Sequence, residues 1–124
     1  MRIICVDNGK LRLSCLQEQV QSIVPDAQIY TFRDPEQALH QAKAGGCDIL
    51  LTEIDVGWSE TGGLLLAKYL KEVNPKAKII FMTVCMEYEH EAELRYIEFD
   101  GCIQKPYLFE TLEDEFRKLG CVAL

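Results

Sequence analysis

Four apolar runs in this chain stop on a polar residue. Ile3-Ile4-Cys5-Val6 stops on Asp7-Asn8, Ile49-Leu50-Leu51 on Thr52-Glu53, Ile79-Ile80-Phe81-Met82 on Thr83, and Cys102-Ile103-Gln104 on Lys105-Pro106. Gathered in one place, one or two carboxylates, a hydroxyl and an ammonium would make a phosphate-and-metal site. Carboxylate oxygens suit Mg²⁺, while Lys and Thr bind phosphoryl oxygens. Each residue also has a plainer use. Asp7 and Asn8 are residue types that cap a following helix, and Thr83 fits an ordinary β-branched strand end. Lys105 closes an apolar strand and faces a desolvation cost unless an acid waits there, which predicts pairing with Glu53 or Asp7.

Only a fold that brings the ends of these runs to one edge can assemble them, and the hydropathy pattern supplies one. Short apolar runs alternate with longer amphipathic ones five times, without repeats or a Ser/Gly-rich linker. After the first strand, Leu13, Leu16, Val20 and Ile23 recur at helical spacing until Pro25. Ala27 to Phe32 alternates like a half-exposed edge strand. Asp34-Pro35-Glu36-Gln37 is a helix start, with Asp as N-cap and Pro at the first position, and Gly45-Gly46 ends that helix. Asp48 to Ile54 reads as a third strand, followed by a loop holding Gly57 and Gly62-Gly63. Leu66, Leu70 and Val73 mark the next helix, which Pro75 stops. Lys78 to Met82 is apolar on both faces, as a central parallel strand must be. Glu87 to Phe99 reads as a very acidic helix, Gly101 to Gln104 as a short last strand, and Phe109, Leu112, Phe116 and Leu119 line a final helix.

Five βα units in succession require right-handed crossovers and a parallel sheet covered on both faces. The expected class is α/β, a flavodoxin-like doubly wound (βα)5 domain with a five-stranded parallel sheet in the order 2-1-3-4-5. In such a sheet ligands bind at the carboxyl edge where the strand order reverses. Asp7, Glu53, Thr83 and Lys105 all fall on that edge.

Composition bounds the rest. The chain has 124 residues, 48% of them hydrophobic, with 13 Lys+Arg against 20 Asp+Glu for a net charge of −7. This is a length for one ordinary domain. The acidic balance, with no cationic cluster, argues against nucleic-acid or anionic-membrane binding by this domain. No apolar stretch approaches a membrane span, and the opening MRIICVD lacks the pattern of a secretory signal, so a cytoplasmic protein with reduced thiols is expected. The six cysteines contain no C-x-x-C and read as small buried hydrophobes. His40 and His90 read as surface residues. Trp58 either shields the crevice or covers its own loop, and Met86, Tyr88 and Tyr96 form either an interaction patch or helix-face packing. A flavin-binding electron carrier would need phosphate donors after strand one, where Asp7 stands instead. A phosphohydrolase with a nucleophile there usually needs a second acid two residues later, where Gly9 stands. The nucleotide-binding motif G-x-x-x-x-G-K-[ST] is absent.

The segments ICVDN, DILLTEIDVGWSETGG, IIFMTV and GCIQKPY, in that order and spacing, resemble the receiver (CheY-like) domain of a two-component response regulator. The run from DPEQAL through NPKAKIIFMT to KPY looks most like receivers that precede LytTR-type DNA-binding domains. The resemblance implies a non-enzymatic signalling module over residues 1–120, with 121–124 a tail or the start of a linker. It implies a histidine kinase or other signalling protein as partner, and a homodimer through the fourth helix, fifth strand and fifth helix. Carried over, Glu53 takes the phosphoacceptor position, Asp7 and Asn8 the acidic pair that with Glu53 would hold Mg²⁺, Thr83 the switch hydroxyl, and Lys105 the phosphoryl-binding lysine. A cis Lys105–Pro106 bond is implied too. Three positions depart from the pattern: Glu53 replaces an aspartate, Asn8 replaces a second acid, and Cys102 stands where many receivers carry a mobile aromatic. Glutamate carries its carboxylate roughly 1–1.5 Å further out, and misplacement by about 1 Å can cost an in-line transfer ~100-fold. The expectation is a degenerate site with weak or absent phosphorylation, weakened Mg²⁺ binding and a Glu53–Lys105 pair. A phosphorylation-independent interaction module is the alternative.

Overall fold

Proline and glycine punctuate the chain much as the sequence predicts, and ten elements follow in βα order: β1 (Arg2–Val6), α1 (Lys10–Ile23), β2 (Gln28–Phe32), α2 (Pro35–Gly45), β3 (Ile49–Glu53), α3 (Gly62–Val73), β4 (Lys78–Thr83), α4 (Glu87–Leu94), β5 (Gly101–Gln104) and α5 (Phe109–Lys118). The structure is a computed structural model and describes residues 1–121; of the expected tail at 121–124, residues 122–124 lie outside the described residues. The strands form one parallel sheet in the order β2-β1-β3-β4-β5.

The two faces of the sheet are covered by different helices. Ile4, Val6, Leu50, Ile79 and Phe81 pack with Ala38 and Ala42 of α2 and Leu66 and Leu70 of α3. Their neighbours in the strands, Ile3, Cys5, Leu51, Ile80 and Met82, point the other way and pack with Leu16 and Val20 of α1 and Leu112 and Phe116 of α5. This two-sided burial is why the central strands read as continuous apolar runs. β2, with its partly exposed residues, is an edge strand.

The sheet order reverses at β1, which has β2 on one side and β3 on the other. The carboxyl ends of β1 and β3 therefore flank the switch point, where Asp7 and Glu53 stand.

Several local expectations need correction. The glycine pair after β3 is not loop: Gly62 and Gly63 open α3. A side chain has no room at either, since an added Cβ would fall 1.9 Å from the Val56 carbonyl oxygen at Gly62 and 2.1 Å from that of Glu53 at Gly63. The start of α3 thus packs directly on the backbone that follows β3, and the Gly63 N–H donates to the Ile54 carbonyl at 2.7 Å. Val73 is exposed rather than core. α4 ends at Leu94, well short of Phe99. Tyr96 turns into the left-handed region at φ 56, where its N–H donates to the Glu93 carbonyl and that of Ile97 to the Ala92 carbonyl. This is a Schellman stop, usually built on glycine. Of the six cysteines, all free, only Cys5 and Cys47 are buried; Cys15 is exposed and Cys85, Cys102 and Cys121 are half-buried. Burial pushes the Cys5 and Cys47 thiols up to about 12. Trp58 packs edge-on against Tyr69 with ring centroids 6.1 Å apart, so it covers its loop. Tyr88 packs against the core while Tyr96 is exposed. His40 and His90 are exposed, as expected. Among the described residues no helix is long and apolar enough to cross a membrane.

Because the atom facing Gly63 is backbone of the element that carries Glu53, Gly63→Ala is expected to cost about 3 kcal/mol or more of stability by overpacking. Urea denaturation of the variant beside the wild type measures it.

Candidate functional site

Strand β1 delivers Asp7 to the edge, and the first turn of α1 fixes it there. The Asp7 carboxylate accepts the Gly9 N–H at 2.7 Å on Oδ1 and the Lys105 ammonium at 2.7 Å on Oδ2. β3 presents Glu53, whose Oε2 also accepts from Lys105. Lys105 follows β5, and its N–H donates to the Thr83 carbonyl at 2.8 Å, extending the β4–β5 pairing by one residue. One ammonium therefore bridges acids contributed by β1 and β3. All three side chains are nearly dry, with Asp7 4%, Glu53 9% and Lys105 10% exposed. A cavity of about 610 Å³ opens onto the cluster, its apolar wall built from Leu16, Met82 and Pro106. The Lys105–Pro106 bond is cis.

The other expected members lie apart from this bridge. Asn8 is exposed, its side-chain oxygen accepting from Arg12 Nη2 at 2.8 Å and its backbone carbonyl from Arg33 at 3.2 Å. Thr83 is fully buried, and its hydroxyl is held by Cys85, accepting that residue's N–H at 3.0 Å and donating to its carbonyl at 3.1 Å. That local turn directs the hydroxyl to the β4–α4 connection. Cys102 is half-buried against the Phe81 side of the core. The helix-capping alternative for Asp7 and Asn8 is not what forms: Gly9 is the N-cap of α1, and no side chain caps it.

Sequence reasoning missed Arg12. It reaches back from the first turn of α1, its Nε 3.3 Å from Asp7 Oδ1 and its Nη2 on Asn8. The available signal was position, since Arg12 stands in the first turn of α1, near enough in sequence for a long side chain to reach back to Asp7 and Asn8.

The pattern of the response regulator receiver domain matches residues 3–117. The chain belongs to that family. Solved structures agree on the fold. The response regulatory domain of mrkE from Klebsiella pneumoniae superposes with a TM-score of 0.81 at 24% identity, covering 97% of this chain and 95% of that one. The response regulator TrrA from Thermotoga maritima, in complex with Mg²⁺-BeF, gives 0.80 at 25% identity, covering 95% and 97%. A receiver domain protein from Clostridium thermocellum gives 0.78 at 12% identity over 98% and 93%. A search of curated proteins by sequence gave no match.

Receiver domains are signalling modules of two-component systems that interact with histidine kinases and other signalling domains, and they bind Mg²⁺ at the phosphorylation site. In this receiver domain three side chains at the cavity already have cationic partners. Asp7 is engaged by Lys105 and Arg12, Glu53 by Lys105, and the Asn8 amide oxygen by Arg12. Asp7 and Glu53 face Lys105 and Arg12, the exposed Asp55 also lines the cavity, and among the described residues no group of three His, Cys, Asp or Glu side chains is placed to hold a metal ion.

The shared ammonium does not serve both acids alike. Burial pushes the Asp7 carboxyl up, but the Lys105 hydrogen bond, the Gly9 N–H and the charges of Lys105 and Arg12 outweigh it and hold Asp7 below its ordinary value. At Glu53 burial prevails over the Lys105 hydrogen bond and charge, with the Asp7 charge adding to it, and the carboxyl is raised above its ordinary value. The two acids therefore oppose each other in their effect on stability. Asp7 contributes stability above the unfolded-state value, lost as pH falls through its lowered folded value. Glu53 contributes stability in full below its unfolded value, lost as pH rises through its raised folded value. Asp7→Asn is expected to cost about 2 kcal/mol at neutral pH, a deficit that closes in acid below the ordinary aspartate range. Relative to Glu53→Gln, the wild type should gain stability as pH falls from neutrality toward the ordinary glutamate range. Urea denaturation over that range, with opposite slopes for the two variants, is the check.

Proposed function

We propose that this receiver domain is a protein-interaction switch whose phosphoacceptor chemistry is weak or lost, with Glu53 at the acceptor position, Lys105 and Thr83 as the phosphoryl-binding and switch residues, and Asp7 and Asn8 as a reduced metal pair. The observation that carries the reading is the Lys105 bridge between Asp7 and Glu53. A lysine that would meet an incoming phosphoryl oxygen is already neutralised by the residue that would receive the group. The longer glutamate side chain puts its own carboxylate on Lys105, so an internal anion replaces an acquired one. Mg²⁺ does not suit this arrangement, because its oxygen donors are engaged by ammonium and guanidinium and Asn8 brings no charge of its own.

Residues 1–120 form the receiver unit in this reading, and the signal leaves by contact with another protein. The resemblance to LytTR-associated receivers supports an output in transcription control through a separate DNA-binding domain. The partners are a histidine kinase or another signalling protein in the cytoplasm, with a homodimer through α4, β5 and α5 as the candidate assembly. Exposed Leu108 and Phe109 border that face.

The deciding experiment is incubation with a small-molecule phosphodonor and Mg²⁺ followed by intact-mass and peptide mass spectrometry. The expected outcome is no phosphate on the chain; a gain of one phosphate at Glu53 overturns the reading. For the switch, Glu53→Gln removes the charge that engages Lys105 and is expected to change the dimerisation constant or partner affinity about tenfold, the scale of a ~1.4 kcal/mol bias. Identical behaviour of the two proteins in analytical ultracentrifugation and partner binding would dispose of the Glu53–Lys105 bias.

A further inference from the structure

We propose that Arg12 is a chain-borne substitute for the divalent cation of this site, and that it excludes the metal by holding the donor oxygens the metal would need. The inference rests on the reading above and deepens it, assigning to Arg12 the exclusion of the metal from the same crevice.

Three observations point to it. The Arg12 guanidinium bridges Asp7 Oδ1 at 3.3 Å and Asn8 Oδ1 at 2.8 Å, the two side chains that follow β1 directly. A planar fork with several N–H donors suits two acceptors at once in a way that an ammonium does not. Room for the fork comes from the missing side chain at Gly9: an added Cβ would fall 2.4 Å from Arg12 Cζ and 2.5 Å from Nη2, so the guanidinium lies against the bare Gly9 backbone. Finally, cations already occupy the cluster. Asp7 and Glu53 meet Lys105 and Arg12, and although the exposed Asp55 also lines the cavity, a dication entering at Asp7 would face two like charges already bound there.

Arg12 differs from Lys105 in being reachable. Its side chain is 61% exposed, whereas that of Lys105 is 10% exposed. It therefore neutralises the acidic edge from the solvent side, and removing it should uncover the Asp7 and Asn8 oxygens without emptying the core. Mg²⁺ is commonly held by one or two carboxylates with water completing its shell, and Asp7 with Asn8 and a neighbouring carboxylate would then suffice.

The test is titration of Mg²⁺, and of Mn²⁺ as a paramagnetic probe, into the wild type, Arg12→Ala and Gly9→Ala. Calorimetry reads the affinity, and Mn²⁺ broadening of the Asp7 and Glu53 amide signals reads the location. Arg12→Ala is expected to bind either ion about tenfold or more tightly than the wild type, with broadening at both amides, the removal of one adjacent like charge being the cause. Gly9→Ala changes no charge and crowds the guanidinium, so it should move affinity in the same direction by a smaller factor. Circular dichroism and urea midpoints confirm that each variant is folded. Unchanged affinity in Arg12→Ala overturns the proposal, as does tight Mg²⁺ binding by the wild type at these residues. The phosphodonor result is independent: phosphate on Glu53 would end the earlier reading, whereas an unaltered metal titration in Arg12→Ala would end this one and leave the earlier reading standing.

Discussion

A lysine ammonium with little access to water has to be matched by negative charge, and Lys105 is matched twice. Desolvating a cation is costly, and removing one partner of a buried pair is worse than never having built it. Holding Lys105 between Asp7 and Glu53 ties the ends of β1, β3 and β5 into one arrangement, although β3 and β5 are separated in the sheet by β4. Such a bridge contributes less to net stability than to singling out one conformation. The apolar packing on the two faces holds the sheet; the bridge determines what its edge presents.

That division explains which features were legible in the sequence. Strand and helix periods, the proline stops and the parallel order follow from local patterns and from the geometry of crossovers, so the architecture could be reached without coordinates. The convergence of Asp7, Glu53 and Lys105 was also within reach, because each closes an apolar run in a fold whose strands all end on one side. The desolvation argument gave the pairing of Lys105 with an acid, though it could not say that both acids would share it. What escaped depends on side-chain torsions and close contacts, which no periodicity encodes. Arg12 reads as one more polar residue on an exposed helix turn. The Thr83 hydroxyl has two local partners in Cys85 that compete with the crevice. α4 closes on Tyr96 in a left-handed conformation, a position where glycine would have announced the stop and tyrosine does not. Gly62 and Gly63 look like loop residues until the carbonyls pressed against them are seen.

Family membership and site geometry answer different questions. The match over residues 3–117 places the chain among the receiver domains of two-component signalling. The geometry concerns which charges the carboxyl edge of the sheet already carries. Asp7, Glu53, Lys105 and Arg12 are linked by ion pairs there, and the exposed Asp55 lines the same cavity.

The loop after β3 carries the protein's single tryptophan, lodged edge-on against Tyr69 and 41% exposed. Because that loop leaves directly from Glu53 and returns through the tightly packed start of α3, its indole is anchored at both ends to backbone next to the charged edge. The protein thus contains an intrinsic fluorophore seated on α3, whose emission reports whether the loop after β3 stays packed on that helix and can be timed by stopped flow without an attached dye.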